Sequence, residues 1–155
     1  MISSAPRPTP EARTAFFATV EITTRWMDND TYGHVNNVVY YSYFDTAVNK
    51  FLIDSGFLNP MRGEVVGFVV ETGCHYFKPI SFPEHIVAGI RVAHLGTSSV
   101  RYEIGIFTNE DETASAQGHF VHVYVDRDRK RPVAALPEPL RKALQPILVG
   151  GSIQR

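Results

Sequence analysis

Arg25-Trp26-Met27-Asp28-Asn29-Asp30-Thr31-Tyr32-Gly33-His34-Val35-Asn36-Asn37 decides how this chain reads, because an alternating apolar pattern enters the stretch and a helical one leaves it. It gathers two carboxylates, an imidazole and several carboxamides on one strand-to-helix connection. Two rigid elements flanking a short loop give it the fixed geometry that binding and catalysis need.

Upstream, Ala15 to Trp26 reads as a strand with Val20, Ile22 and Trp26 on one face. Downstream, apolar residues from Asn37 to Ser55 fall at Tyr40, Tyr41, Phe44, Ala47, Val48, Phe51 and Leu52, the spacing of a wide helical stripe. Such a helix spans about 28 Å. Asn36 or Asn37 suits its start and Gly56 its end. After a loop over 58–63 the period changes to that of strands: Val65 to Phe77, Ile86 to Leu95, Ser99 to Thr108 and Thr113 to Asp126. The last has apolar residues on both faces, which predicts a partner surface as well as a core. A short helix over Glu138 to Gln145 closes the pattern. Strand, long helix, then four strands is an α+β order, with an antiparallel sheet wrapped around the helix.

Composition bounds the function. A length of 155 residues predicts a single domain over 15–150, with a Pro-containing tail over 1–14 and a short tail over 151–155. A hydrophobic content of 44% with 20% charged residues is globular, and a net charge of -1 gives no electrostatic reason to expect nucleic acid. No apolar run approaches the roughly 20 residues of a membrane span. A single cysteine, Cys74, excludes a disulfide framework and fits a cytoplasmic location. No Gly-rich phosphate loop occurs.

Asp30 and His34 are the sharpest candidates for chemistry. At a helix start, exposed N–H groups and the helix dipole favour negative charge on a bound carbonyl oxygen, and a facing carboxylate can attack that carbonyl or activate water. The combination makes hydrolytic acyl transfer chemically sensible, and under that hypothesis His34 and Asn37 would orient or polarise. Asp28, two residues before Asp30, reads as a residue with a solvent-facing or structural hydrogen-bonding role. Asp28, Asp30 and Gly33 occupy positions 1, 3 and 6 of a calcium loop, but Tyr32 and Val39 stand at positions 5 and 12. His119 and His122 point to opposite faces of a strand, so no metal site is expected. Cys74 reads as a core or interface residue. The basic run at Arg127, Arg129, Lys130 and Arg131 is first a solvated turn; its alternative is contact with the phosphates of a carrier.

Asp-x-Asp-x-x-Gly-His-Val-Asn-Asn-x-x-Tyr, here Asp28 to Tyr40, resembles the hotdog-fold acyl-CoA thioesterases of the 4-hydroxybenzoyl-CoA thioesterase type, above all the long-chain acyl-CoA branch. The likeness continues through Phe68-Val69-Val70, Tyr76-Phe77-Lys78-Pro79 and Gly96-Thr97-Ser98, over roughly residues 18 to 145. It implies a hotdog fold, homodimers or homotetramers with sites between subunits near the helix start, and Asp30 as nucleophile or general base. It also implies no cofactor beyond the coenzyme A of the substrate, and no metal. Candidate substrate-binding residues are Tyr32, Gly33, Val38, Tyr41, Phe68, Val70, Gly96, Thr97 and Ser98. Plant acyl-ACP thioesterases share His-Val-Asn-Asn but have Asn where Tyr32 stands, which favours an acyl-CoA substrate. Two other readings stand beside hydrolysis: a hotdog scaffold that binds an acyl carrier without cleaving it, and, ranked third, a dehydratase.

Overall fold

Alternation along the strands is spent on one sheet. The computed structural model describes residues 6–59 and 61–150, so positions 1–5 of the first expected tail, all of the tail expected over 151–155 and Pro60 of the expected loop lie outside the described residues. Strand β1 (Ala18–Thr23) precedes helix α1 (Val39–Asp54); β2 (Val65–Tyr76), β3 (His85–Leu95), β4 (Ser99–Thr108), β5 (Ala116–Asp126) and the short helix α2 (Glu138–Leu144) follow. All pairings are antiparallel, and the spatial order is β1-β3-β4-β5-β2. The α+β reading holds, with one sheet curled against one long helix.

Ile86, Ala88, Ile90 and Val92 of β3 and Val100, Tyr102, Ile104 and Ile106 of β4 turn inward onto Phe44, Ala47, Val48 and Leu52 of α1. Gly118 lets the helix come this close: a Cβ there would stand 2.4 Å from the Phe44 ring and 2.5 Å from the Gly73 carbonyl oxygen. At the other end of α1, Gly56 adopts φ 84° and ends the helix.

Three expectations need correction, and the strand order adds a feature of its own. Trp26 does not extend the first strand; β1 stops at Thr23, and Trp26–Asp28 forms a 3₁₀ turn that leaves Trp26 exposed. The buried stripe of α1 is rotated towards Tyr43, and Tyr41 and Phe51 are only half-buried. Although consecutive, β2 and β3 are not neighbours. β2 pairs with β5, and residues 77–84 cross to the far side of the sheet, where β3 pairs with β1. The tail expected over 1–14 is tied down from Glu11. Its carboxylate holds the Arg91 guanidinium at 2.7 and 3.0 Å, its N–H reaches Gln117, and Ala12 bridges Thr113. Among the described residues, no helix is long and apolar enough to cross a membrane.

Candidate active site

Asp28 to Asn36 folds back on itself as a narrow hairpin between β1 and α1. Asn36 N–H donates to the Asp28 carbonyl (2.9 Å), Asn29 bridges Val35, Asp30 N–H donates to the His34 carbonyl (2.9 Å), and Gly33 N–H donates to the Asp30 carbonyl (3.1 Å). Gly33 takes φ 82° at the tip, a conformation that an L side chain resists. The crossing segment braces the other side: Val35 N–H donates to the Ile80 carbonyl, Ser81 Oγ to the Gly33 carbonyl, and Phe82 N–H to Asn29 Oδ1.

The two carboxylates of the hairpin have opposite fates. Asp28 is 1% exposed. Its oxygens accept from Tyr43 Oη (2.8 Å), Arg25 N–H (2.9 Å) and Arg25 Nε (3.1 Å), and Arg25 Nη2 lies 3.0 Å away. Burial raises the pKa of Asp28, but the hydrogen bonds from Tyr43 and Arg25 outweigh it and hold the carboxyl below the usual range. Asp30 is half-buried, and Oδ1 accepts the Tyr32 N–H at 2.8 Å. It opens into a depression of about 540 Å³ lined by Trp26, Asn29, Thr31 and Gly33.

His34 and Asn37 line a second depression, of about 310 Å³, together with Val35, Tyr40, Tyr76 and Lys78. Asp30 and His34 therefore face different hollows of the same hairpin. Helix α1 begins just beyond, with Val38 and not Asn36 or Asn37 at its N-cap and no side-chain cap. Asn36 instead forms the turn that leads into it, accepting Val38 N–H through Oδ1 (3.1 Å) and Val39 N–H through its carbonyl (2.9 Å). Tyr76 Oη donates to the Asn37 carbonyl at 3.0 Å, and its ring meets Tyr40 edge-on.

Of the candidate substrate-binding residues, Gly33 lines the Asp30 depression, Tyr32 is exposed next to it in sequence, Val38 is exposed at the start of α1, and Tyr41 is half-buried against Phe44. Phe68 and Val70 lie exposed on edge strand β2. Gly96, Thr97 and Ser98 form the β3–β4 turn, where the Gly96 carbonyl accepts from Arg141 and the Ser98 carbonyl from Tyr124 N–H. Phe68 stands eight positions along β2 from Tyr76, about 26 Å, so a single chain does not bring it to the depression that Tyr76 lines with His34 and Asn37. The sequence does not single out Tyr43, and it shows Lys78 only as part of the Tyr76–Pro79 likeness and not as a site residue. Tyr43 carried one signal, since a buried phenol needs a hydrogen-bond partner. Burial pushes the Cys74 thiol up to about 11, against a hydrogen bond from Tyr76, so it is a poor nucleophile.

His122 sits in the core beneath the β2 edge, with Nδ1 3.3 Å from Tyr124 Oη, which is 2.7 Å from Tyr102 Oη. Burial lowers its pKa from 6.5 to about 4. Between those values the unfolded chain takes up a proton that the native chain refuses. Stability therefore falls as pH drops from 6.5 to 4, by about 3 kcal/mol in total. The Asp28 contribution is lost only at lower pH, so the windows do not overlap. Urea unfolding at pH 7.5 and 4.5 measures the slope. His122→Leu is expected to flatten it by that amount, and an unchanged slope would refute the assignment.

The profile of the thioesterase-like superfamily matches residues 24–144. Among solved structures, the PA5185 protein of Pseudomonas aeruginosa strain PAO1 is 50% identical, covering 90% of this chain and 97% of its own, with a TM-score of 0.88. A thioesterase of Thermus thermophilus in complex with coenzyme A and zinc is 32% identical over 86% of this chain and 95% of its own, with a TM-score of 0.69. Slr0204, a 1,4-dihydroxy-2-naphthoyl-CoA thioesterase from Synechocystis, shares the fold at 17% identity and a TM-score of 0.73, covering 81% of this chain and 93% of its own. A search among curated proteins returned no significant match.

Proposed function

The chain belongs to the thioesterase-like superfamily, which makes it a thioester hydrolase, and on that premise we propose that it cleaves acyl-CoA with Asp30 as nucleophile or general base. One observation carries the choice of Asp30: it is the carboxylate of the hairpin that a substrate can reach, while Asp28 is buried and committed to Tyr43 and Arg25. The oxyanion falls to the first-turn N–H groups of α1, those of Tyr40 and Tyr41, because Asn36 takes those of Val38 and Val39.

As general base, Asp30 takes a proton from water while the water oxygen bonds to the thioester carbon. The C–S bond then breaks, and the leaving thiolate is protonated to give free CoA and the acid. As nucleophile, an Asp30 oxygen bonds to the thioester carbon, and the C–S bond breaks to expel the CoA thiolate, which takes up a proton. Water then opens the resulting mixed anhydride to release the acid and regenerate Asp30. A thiolate leaves without a strong general acid, so His34 and Asn37 need only orient or polarise the substrate from their side of the hairpin.

Two copies complete the site in this reading. β2 is an edge strand with Phe68, Val69 and Val70 exposed at 44%, 46% and 59%, a surface that monomers avoid. Antiparallel pairing of two β2 strands about Thr72 would set Phe68 of one copy opposite Tyr76 of the other. The same pairing brings the exposed turn Arg129–Arg131 towards the second copy's Tyr76 end, where phosphates of a carrier would meet it.

The test is thiol release from a panel of acyl-CoAs varied in chain length and aromaticity. Turnover of at least one member supports the reading. Saturable stabilisation by CoA with no thiol released from any member would instead favour a non-hydrolytic acyl-carrier scaffold.

A further inference from the structure

We propose that Asp28 and Tyr43 are a positioning pair that sets the distance between Asp30 and the start of α1. The proposal rests on the thioesterase reading above. Tyr43 lies one turn inside α1, and its hydroxyl donates to Asp28 Oδ2 at 2.8 Å. Asp28 is in turn the root of the hairpin, since its carbonyl accepts the Asn36 N–H. This hydrogen bond therefore joins the element that carries Asp30 to the element that presents the oxyanion donors. Besides the Asn36 contacts to Val38 and Val39 at the junction itself, the hairpin is braced by the crossing segment at Ile80, Ser81 and Phe82, which does not belong to α1. The Tyr43 bond is thus the tie between the Asp28 end of the hairpin and the helix body.

The chemistry of the pair suits a fixed spacer. A buried carboxylate is costly to desolvate unless its oxygens are satisfied, so Asp28 holds tightly to the donors it has. Arg25, at the same root, supplies its N–H and its guanidinium, leaving Tyr43 as the contact that ties the carboxylate to the helix. Burial and the bond to Asp28 push the Tyr43 phenol far above its ordinary range, so it remains a donor at any working pH. Reacting groups tolerate little displacement: a shift of about 1 Å can cost about a hundredfold in rate.

A mutant cycle separates positioning from mere stabilisation. Tyr43→Phe keeps the ring and removes the hydroxyl. It is expected to lower kcat on an acyl-CoA substrate about ten- to a hundredfold, with KM within about twofold, because the loss is of reacting geometry and not of binding. Combined with Asp30→Asn it should cost nothing further, because without the Asp30 carboxylate there is no carboxylate left to position. Should Tyr43→Phe not fold, Asp28→Asn in the same cycle replaces it, since a carboxamide keeps the shape while weakening the bond.

Full turnover by Asp30→Asn alone would remove the thioesterase mechanism itself. With Asp30→Asn impaired, a folded Tyr43→Phe enzyme of parental kcat, or losses that multiply in the double variant, would overturn the positioning role and leave the proposed function standing.

Discussion

Asp30→Asn is expected to reduce thioester hydrolysis about 10²- to 10⁴-fold, the usual contribution of a positioned base or nucleophile, with little change in stability. The second half of that expectation comes from the geometry. Asp30 Oδ1 accepts one N–H, that of Tyr32, and the carboxamide oxygen of Asn can accept it equally well. The hairpin is held by backbone bonds and by Asp28, neither of which the substitution touches. What disappears is the anionic oxygen that attacks or takes the proton. Asp28→Asn should behave in the opposite way in one respect: it removes a buried charge among Tyr43 and Arg25, and its cost includes stability. Steady-state thiol release paired with urea unfolding of both variants separates the two carboxylates. Parental turnover by Asp30→Asn would mean that the reacting group lies elsewhere.

That separation was only partly legible in the sequence. The alternation over Ser99 to Thr108 gave β4 its observed limits, because a strand flanked by strands on both sides must bury every second residue. The helix was equally plain, although its buried face turned out to be rotated. Tyr41 and Tyr43 are both apolar enough to sit inward, and the choice was made by Asp28, which needed a hydroxyl. Nothing local announces that partnership. The 3₁₀ turn over Trp26–Asp28 that ends β1 depends on the same Asp28–Arg25 contacts, so the period-2 pattern ran on into Trp26 where the strand does not. The separation of β2 from β3 was hidden for another reason. Chain order implies neighbours, whereas β2 found β5 and left residues 77–84 to brace the hairpin. Tyr76 ends β2 and Lys78 opens that crossing, and only the tertiary pairing places them beside His34 and Asn37.

Thr72→Lys is expected to raise the dimer dissociation constant about a hundredfold or more and, at dilute protein, to take thioesterase activity down with it. In the pairing proposed for β2, Thr72 lies on the two-fold axis, so each substitution faces its own copy. Like charges opposed across strands about 5 Å apart are destabilising, and at an interface the penalty reaches several kcal/mol, each 1.4 kcal/mol being tenfold in affinity. Within the chain the cost is small, because Thr72 is exposed and gives up one hydrogen bond, from Oγ1 to the His119 carbonyl, a loss of about 1 kcal/mol. Activity should follow assembly because Phe68 and Tyr76 of one chain stand about 26 Å apart along β2, too far to flank one acyl chain. Thr72→Glu should fail in the same way alone. Mixed with Thr72→Lys it should form a heterodimer with activity restored, since opposite charges then meet at the axis. Sedimentation of each variant and of the mixture, read beside thiol release, distinguishes the outcomes. A monomeric Thr72→Lys protein with parental kcat would show that one chain holds a complete site. A mixture that stays monomeric would show that the β2 strands do not meet about Thr72.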